Sequence, residues 1–292
     1  MIGRLVSAGL VSCVLLVAGC ASSPSAQKTA VNEKDIAVTV LQKLGTTDPN
    51  YLNYIREDYI QHNLGAATGK QGLINFLKQF PSTPAKNSKS YAVRVLQDGN
   101  YVIVQSNVVP YDSVVFDIFR FKNGKIAEHW DNAQSIEKQP NPSGHTQTDG
   151  TTKIVDRDKI LPNKRLVRNF VQTVLVDGKS DEMPKFISST QYIQHNPHIA
   201  DGMAGLRKAF ANMTKQGQLS HYRKIEAVFG EGNFVLVVSS GQDNNEPIAL
   251  YDLFRVANNK IVEHWDVVAP IPPKAQQKND NGKFNFPDSV MK

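Results

Sequence analysis

Apolar residues recur at helical spacing at Ile36, Val40, Leu41 and Leu44, which predicts an amphipathic helix. Thr47-Asp48-Pro49 follows as a start signal for a short second helix. Residues 59–63 read as extended, and Leu73, Ile74, Leu77 and Phe80 mark a third helix. The period then changes, and four β-rich runs cover residues 91–97, 101–109, 114–121 and 125–131. The same order returns further along. Leu166, Phe170 and Val174 mark a helix, another lies near 202–213, and strands are expected near 222–229, 234–241, 248–256 and 260–268. Helices first and an antiparallel meander afterwards predict an α+β fold, not a doubly wound sheet.

The recurrence extends to letters. Tyr59-Ile60-Gln61-His62-Asn63 returns as Tyr192-Ile193-Gln194-His195-Asn196, and Glu128-His129-Trp130-Asp131 as Glu263-His264-Trp265-Asp266. Between them, Gly69 and Gly72 match Gly202 and Gly205, and Asp117-Ile118-Phe119-Arg120 matches Asp252-Leu253-Phe254-Arg255. The order is kept and the offset drifts only from 133 to 135 residues, so the chain is a tandem repeat. The expected organisation is a signal peptide over 1–19, a flexible tether over 20–32, a first domain over 33–138 and a linker over 139–156. A second domain over 157–270 and an irregular tail over 271–292 complete it. The linker is rich in Pro, Gly, Thr and Asn, and the tail looks like its counterpart.

The first twenty residues add a compartment. Arg4 precedes a short apolar run ending in Leu16-Val17-Ala18-Gly19-Cys20, too short to span a bilayer and followed by small polar residues. This has the form of a bacterial lipobox in which Cys20 is acylated. Ala21, rather than Asp, points to the outer membrane, with the protein facing the periplasm and held to the membrane by its lipid. Cys13 would leave with the signal, so no disulfide pair remains in the mature chain. The net charge of +6 is scattered, and no dense basic run with interleaved aromatics suggests nucleic-acid binding.

The turn Lys122-Asn123-Gly124 decides which side chains share a face. A three-residue loop pairs Phe121 with Lys125 and Asp117 with His129, placing Asp117, His129 and Asp131 together and Arg120, Glu128 and Trp130 opposite. A simple two-residue turn would separate Asp117 from His129 and Asp131. The three-residue loop is the preferred reading. With His62 added at the mouth of the third helix, carboxylates and imidazoles gather in an apolar concavity, as acid–base chemistry requires. Structural readings stand beside this one: His62 and Asn63 bracing the third helix, Asp131 closing its strand, and Arg120 with Glu128 as a cross-strand ion pair. A metal site of His62, His129 and Asp131 is disfavoured, because no sequence-local pair such as His-x-x-x-His supports it. Neither metal nor cofactor is expected.

These motifs together resemble the SnoaL-like branch of the nuclear transport factor 2-like superfamily, over nearly all of the mature chain. The resemblance implies two tandem cone-shaped domains, each with N-terminal helices and a curved antiparallel sheet around a pocket. It also implies pairing through the sheets, hence an internal pseudo-dimer of the two repeats. Named members are polyketide cyclases performing an intramolecular aldol condensation without metal or cofactor. Their acid–base aspartate maps onto Asp131 and Asp266. A cyclase histidine maps onto Asp117 and Asp252, so the proton relay cannot carry over intact. Under this resemblance the catalytic candidates are Asp131, Asp266, Asp117, Asp252, His62 and His195. Tyr59, Tyr192, Asn63, Asn196, His129 and His264 are the ligand-binding candidates, for a small apolar or carbonyl-bearing molecule. Aldol or isomerase chemistry and simple ligand or protein binding both remain open at this point.

Overall fold

The computed structural model describes residues 32–79, 90–108, 112–216, 221–287 and 290. The signal peptide, Cys20 and the tether before Asn32 lie outside the described residues, as do Phe80 and Val109. Helix α1 (Glu33–Lys43) starts where the Asn32 side chain accepts the Lys34 N–H, and buries Ile36, Ala37 and Val40. A 3₁₀ turn (Pro49–Tyr54) follows, capped by Asp48 on the Asn50 N–H with Pro49 in its first turn. Strand β1 (Ile55–Gln61), helix α2 (Lys70–Leu77) and strands β2 (Ser90–Asp98), β3 (Tyr101–Val108), β4 (Ser113–Lys122) and β5 (Lys125–Ser135) complete the first repeat.

The second repeat has α3 (Ile160–Phe170), continued by a wider π turn (Val171–Val176), then α4 (Met183–Phe186), β6 (Ile193–Gln194) and α5 (Gly202–Gln216). Strands β7 (His221–Glu231), β8 (Phe234–Asp243), β9 (Glu246–Ala257) and β10 (Lys260–Pro270) follow. The two sheets have one topology, β1-β5-β4-β3-β2 and β6-β10-β9-β8-β7. The meander is antiparallel as expected, but β1 and β6 join as parallel edge strands. That parallel edge sets Gln61 opposite His129 and Gln194 opposite His264. Among the described residues no helix is long and apolar enough to cross a membrane.

Gly72 and Gly205 explain part of the repeated glycine pattern. A β-carbon at either would overlap the carbonyl oxygen of Ala67 or Ala200, five residues earlier.

The β4–β5 turn corrects the three-residue loop. Lys122 pairs with Lys125, and Asn123 and Gly124 both have positive φ, the signature of a two-residue type I′ turn. A bulge then places Phe121 opposite Ile126 but Arg120 opposite Glu128, so Ala127 is the extra residue. Without it the tight turn would have put Asp117 and His129 on opposite faces. With it, Asp117 pairs with Asp131 and Phe119 with His129, on one face, while Arg120, Glu128 and Trp130 take the other. The second repeat repeats this device, with Asn258-Asn259 in the turn and Val262 as the extra residue.

Each sheet thus has two buried faces. The inner face of the first packs Val102, Val104, Phe119 and Phe121 against Ile36, Val40, Tyr51 and Tyr59. In the second repeat, Val235, Val237 and Phe254 meet Val167, Phe170 and Val174 from its helices. The outer faces share one core in which Ile103, Phe116, Ile118 and Trp130 join Phe229, Leu236, Tyr251 and Trp265. Burying each such side chain contributes roughly 1.5–3 kcal/mol. Asn132 seals this contact by donating to the carbonyls of Ala249 (3.0 Å) and Val267 (2.9 Å).

The two irregular segments are exchanged. Asn141, after the first sheet, donates to the carbonyls of Gln194 (2.6 Å) and Ile199 (3.1 Å) in the second repeat. Asn279, after the second sheet, donates to those of Asn63 and Ala66 (2.8 Å each) in the first.

Candidate functional site

The register puts two carboxylates side by side on the inner face of each sheet. Asp117 lies opposite Asp131, and Asp252 opposite Asp266. Two residues back along the strand, on the same face, His129 Nε2 meets Asp117 Oδ1 at 2.9 Å, and His264 Nε2 meets Asp252 Oδ1 at 3.0 Å. The other ring nitrogen meets a glutamine side chain, Gln61 Oε1 at 3.1 Å or Gln194 Oε1 at 2.9 Å.

That glutamine fixes the protonation pattern. Its Oε1 also accepts the backbone N–H of Asn63 or Asn196, at 2.9 Å in both repeats. A backbone N–H can only donate, so this amide cannot be flipped, and the histidine must carry its proton on Nδ1. The amide nitrogen donates to the hydroxyl of Tyr59 (2.9 Å) or Tyr192 (3.3 Å). Nε2 therefore faces the carboxylate, and the hydrogen bond between them needs one further proton, carried by either group. Burial pushes Asp117 above the ordinary carboxylate range, although the His129 hydrogen bond opposes it. Burial lowers His264, but its hydrogen bond to Asp252 and the nearby aspartate charges raise it further than burial lowers it. Both directions favour the protonated form of the group concerned.

The remaining carboxylate separates the repeats. Asn63 Nδ2 donates to Asp131 Oδ2 at 2.6 Å, and Asn196 Nδ2 to Asp266 Oδ2 at 2.7 Å. Asp131 is additionally claimed by Lys283, whose ammonium donates to its carbonyl at 2.6 Å and lies 3.6 Å from Oδ1. Asp266 is 8% exposed, and its Oδ1 has no hydrogen-bond partner among the described residues. Burial raises its pKa, with the His264 charge acting in the opposite direction.

Asp266 lines a cavity of about 120 Å³ together with Asp252, His264, Tyr192 and Tyr222 at the polar end. Phe170, Leu206, Phe210, Leu250 and Phe254 form apolar wall. For scale, an engineered apolar cavity of about 150 Å³ admits benzene. The Tyr222 hydroxyl donates to Asp252, 3.0 Å from Oδ1 and 3.2 Å from Oδ2. At the corresponding register position of the first repeat stands Ser90, opposite Val108 as Tyr222 is opposite Gly241.

His62 and His195 belong to the other face. His62 stacks on Trp130 at 4.3 Å and His195 on Trp265 at 4.6 Å. Their Nε2 atoms face Glu128 (3.3 Å) and Glu263 (3.0 Å). Those glutamates pair with Arg120 and Arg255 across the strands. Burial raises Glu128 and Glu263, but the hydrogen bonds from these histidines and arginines hold both below the usual range. The Nδ1 atoms reach the exchanged segments, Gly282 O for His62 (2.7 Å) and Thr146 O for His195 (2.9 Å).

The structure therefore brings together Asp117, His129, Asp131, Tyr59 and Asn63, and likewise Asp252, His264, Asp266, Tyr192 and Asn196, while His62 and His195 stand behind the sheet. Gln61, Gln194, Tyr222 and Lys283 were not among the sequence candidates. Gln61 and Gln194 were within reach, since they sit inside a motif repeated letter for letter. Tyr222 and Lys283 carry no repeat signal, because neither is duplicated.

No family model matches the chain, and no curated protein does. Solved structures are similar to it over parts of its length. A protein of unknown function with a cystatin-like fold from Xanthomonas campestris is 22% identical, covering 37% of this chain and 90% of its own, at a TM-score of 0.32. A nuclear transport factor 2-like protein of unknown function from Cytophaga hutchinsonii is 15% identical over 37% of this chain and 94% of its own, at 0.31. An LEH-like epoxide hydrolase from M. tuberculosis is 18% identical over 38% and 85%, at 0.30. The α+β fold stands on the order of its strands: two five-stranded sheets, each with a parallel edge strand and helices on its inner face.

Proposed function

We propose that the second repeat binds a small, mostly apolar molecule bearing a carbonyl group, and that Asp266 moves a proton at the carbon beside that carbonyl. The observation that carries this reading is the buried Oδ1 of Asp266, unpartnered among the described residues, at the polar end of a mostly apolar cavity. Its raised pKa brings it closer to neutrality, where a carboxylate can both take and return a proton. Asn196 holds Oδ2, leaving Oδ1 to receive the proton. Charge then builds on the carbonyl oxygen. Tyr222, Asp252 and His264 line the same cavity, and the Tyr222 hydroxyl, on turning from Asp252, would donate to that oxygen. The outcome is an aldol-type or isomerase-type change that needs no cofactor. In this reading the first repeat is secondary, because Lys283 already occupies its carboxylate.

The cellular setting belongs to the same proposal. Cys20 is acylated and holds the chain on the periplasmic side of the outer membrane. The repeats act as an internal pseudo-dimer, a reading supported by their common outer-face core.

A binding module without chemistry is the second reading. It is favoured by the mutual satisfaction of Asp252, His264, Gln194 and Tyr192, which leaves one polar anchor for a ligand. Incubation with a metabolite extract, followed by mass spectrometry, separates the two. Catalysis predicts a compound consumed and an isobaric or condensed product formed, and Asp266→Asn should stop this. Saturable capture without product selects the binding module, and neither capture nor conversion defeats both.

A further inference from the structure

Behind the second sheet, His145, Asp149 and His195 offer three donor atoms within 4.8 Å of one another. His195 comes from the repeated motif, while His145 and Asp149 come from the exchanged segment that crosses it. His195 Nδ1 lies 2.7 Å from Asp149 Oδ1, and His145 Nδ1 lies 3.6 Å from Asp149 Oδ2. Nitrogen and oxygen donors about 2.0–2.1 Å from a tetrahedral zinc ion stand about 3.3 Å apart, a spacing these two distances straddle. The Thr146 carbonyl, 2.9 Å from His195 Nδ1, brings a further oxygen to the same place. The backbone N–H of Thr146 aims the Asp149 carboxylate from 3.1 Å.

The surroundings point the same way. The far nitrogen of each histidine faces its own carboxylate, His195 Nε2 at 3.0 Å from Glu263 Oε1 and His145 Nε2 at 3.2 Å from Asp201 Oδ2. Such a partner fixes the tautomer of a metal-bound imidazole with its proton on Nε2. A bound ion would take the place of the Nδ1 proton that His195 gives to Thr146 O and Asp149 in the ion-free chain. The carboxylates are themselves held: Glu263 by Arg255 at 2.6 Å, and Asp201 by the Gln194 N–H at 2.9 Å. The His145–Asp149 pair itself stands at 3.6 Å, beyond a proper hydrogen bond. The His145 and Asp149 side chains are 30% and 43% exposed, which leaves an entry path.

The first repeat is a built-in contrast. Asn141-Pro142-Ser143-Gly144-His145 corresponds to Asn279-Asp280-Asn281-Gly282-Lys283, so a lysine stands where His145 does. Its ammonium cannot ligate a cation. We infer that His145, Asp149 and His195 form a site for a divalent ion of the zinc class, which clamps the exchanged segment onto the second repeat.

The test uses the tag-free full chain, purified in detergent and stripped with chelator, and titrated with Co²⁺ as the spectroscopic probe. One ion per chain is expected, with visible absorption of a low-coordinate nitrogen–oxygen site and a higher unfolding midpoint when loaded. His145→Ala should abolish the absorption, and Asp201→Asn should weaken binding by roughly 10–100-fold. Should His145→Ala fail to fold by circular dichroism, Asp149→Asn, which keeps the side-chain shape, decides in its place. No uptake by the wild-type chain, or wild-type affinity in the deciding variant, overturns the site.

Discussion

Replacing Asn141 tests whether the exchanged segments are part of the fold. Its side chain is 4% exposed and donates to three carbonyls, Gln194 O (2.6 Å), Ile199 O (3.1 Å) and Asn196 O (3.4 Å). Its own oxygen accepts the N–H groups of Ser143 (2.9 Å) and His145 (3.0 Å). Each net hydrogen bond contributes about 1 kcal/mol, and an orphaned buried carbonyl costs about 1–3 kcal/mol. Discounting the 3.4 Å contact, Asn141→Ala should destabilise by about 2–4 kcal/mol. Asn141→Asp keeps the acceptor but turns a carboxylate oxygen toward carbonyl oxygens, so roughly 3–5 kcal/mol is expected at neutral pH. That excess should shrink in acid, where a protonated carboxyl can donate again. Urea unfolding followed by tryptophan fluorescence suits the measurement. The Trp265 indole donates to Asp149 O at 3.0 Å and lies 4.0 Å beneath the Arg94 guanidinium, so it reports on the segment directly. A loss below about 0.5 kcal/mol for Asn141→Ala, within the range of ordinary surface substitutions, would refute the reasoning.

Three further outcomes are expected. Because the folded pKa of Asp266 is raised, the carboxyl favours folding below its unfolded value near 3.8, and this is lost as pH rises through the folded value. Asp266→Asn should therefore unfold at a higher temperature than wild type at pH 7, and the gain should vanish as pH falls toward about 4; a gain that persists in acid would contradict the burial account. Lys283→Met should cost about 1 kcal/mol or less in a urea melt, since the ion pair is partly exposed, and should leave ligand capture by the second repeat unchanged. Tyr222→Phe should lower conversion of the captured molecule with no more than a small change in unfolding midpoint, measured by a product assay beside a thermal melt.

Much of this arrangement is legible in the residues themselves. The change from helical to alternating periodicity gives the element order, and the duplicated motifs locate Asp117, His129, Asp131 and their counterparts. The turn shows where local reasoning fails. Asn123-Gly124 does form the tight turn its residues favour, and the shared face survives because the bulge at Ala127 adds one residue. Nothing in the letters around Ala127 announces that bulge, which is set by pairing across the sheet. The sidedness of His62 was equally hidden. It stands one residue beyond β1, and only the parallel docking of that strand on β5, with the Trp130 ring beneath, turns it to the outer face. The exchange of Asn141 and Asn279 between repeats is a long-range contact, although their shared Asn-x-x-Gly spacing, with glycine at 144 and 282, was a usable sign.

The central claim is that the second cavity acts through Asp266, and single carboxylate replacements test it most directly. Once a converted compound has been identified from the extract, initial rates should be compared for the wild-type chain, Asp131→Asn and Asp266→Asn. General acid–base catalysis contributes about 10²–10⁴-fold, so Asp266→Asn should lose a factor of that order while Asp131→Asn stays within a few-fold of wild type. Near wild-type turnover in Asp266→Asn, or an equal loss in Asp131→Asn, would contradict the account.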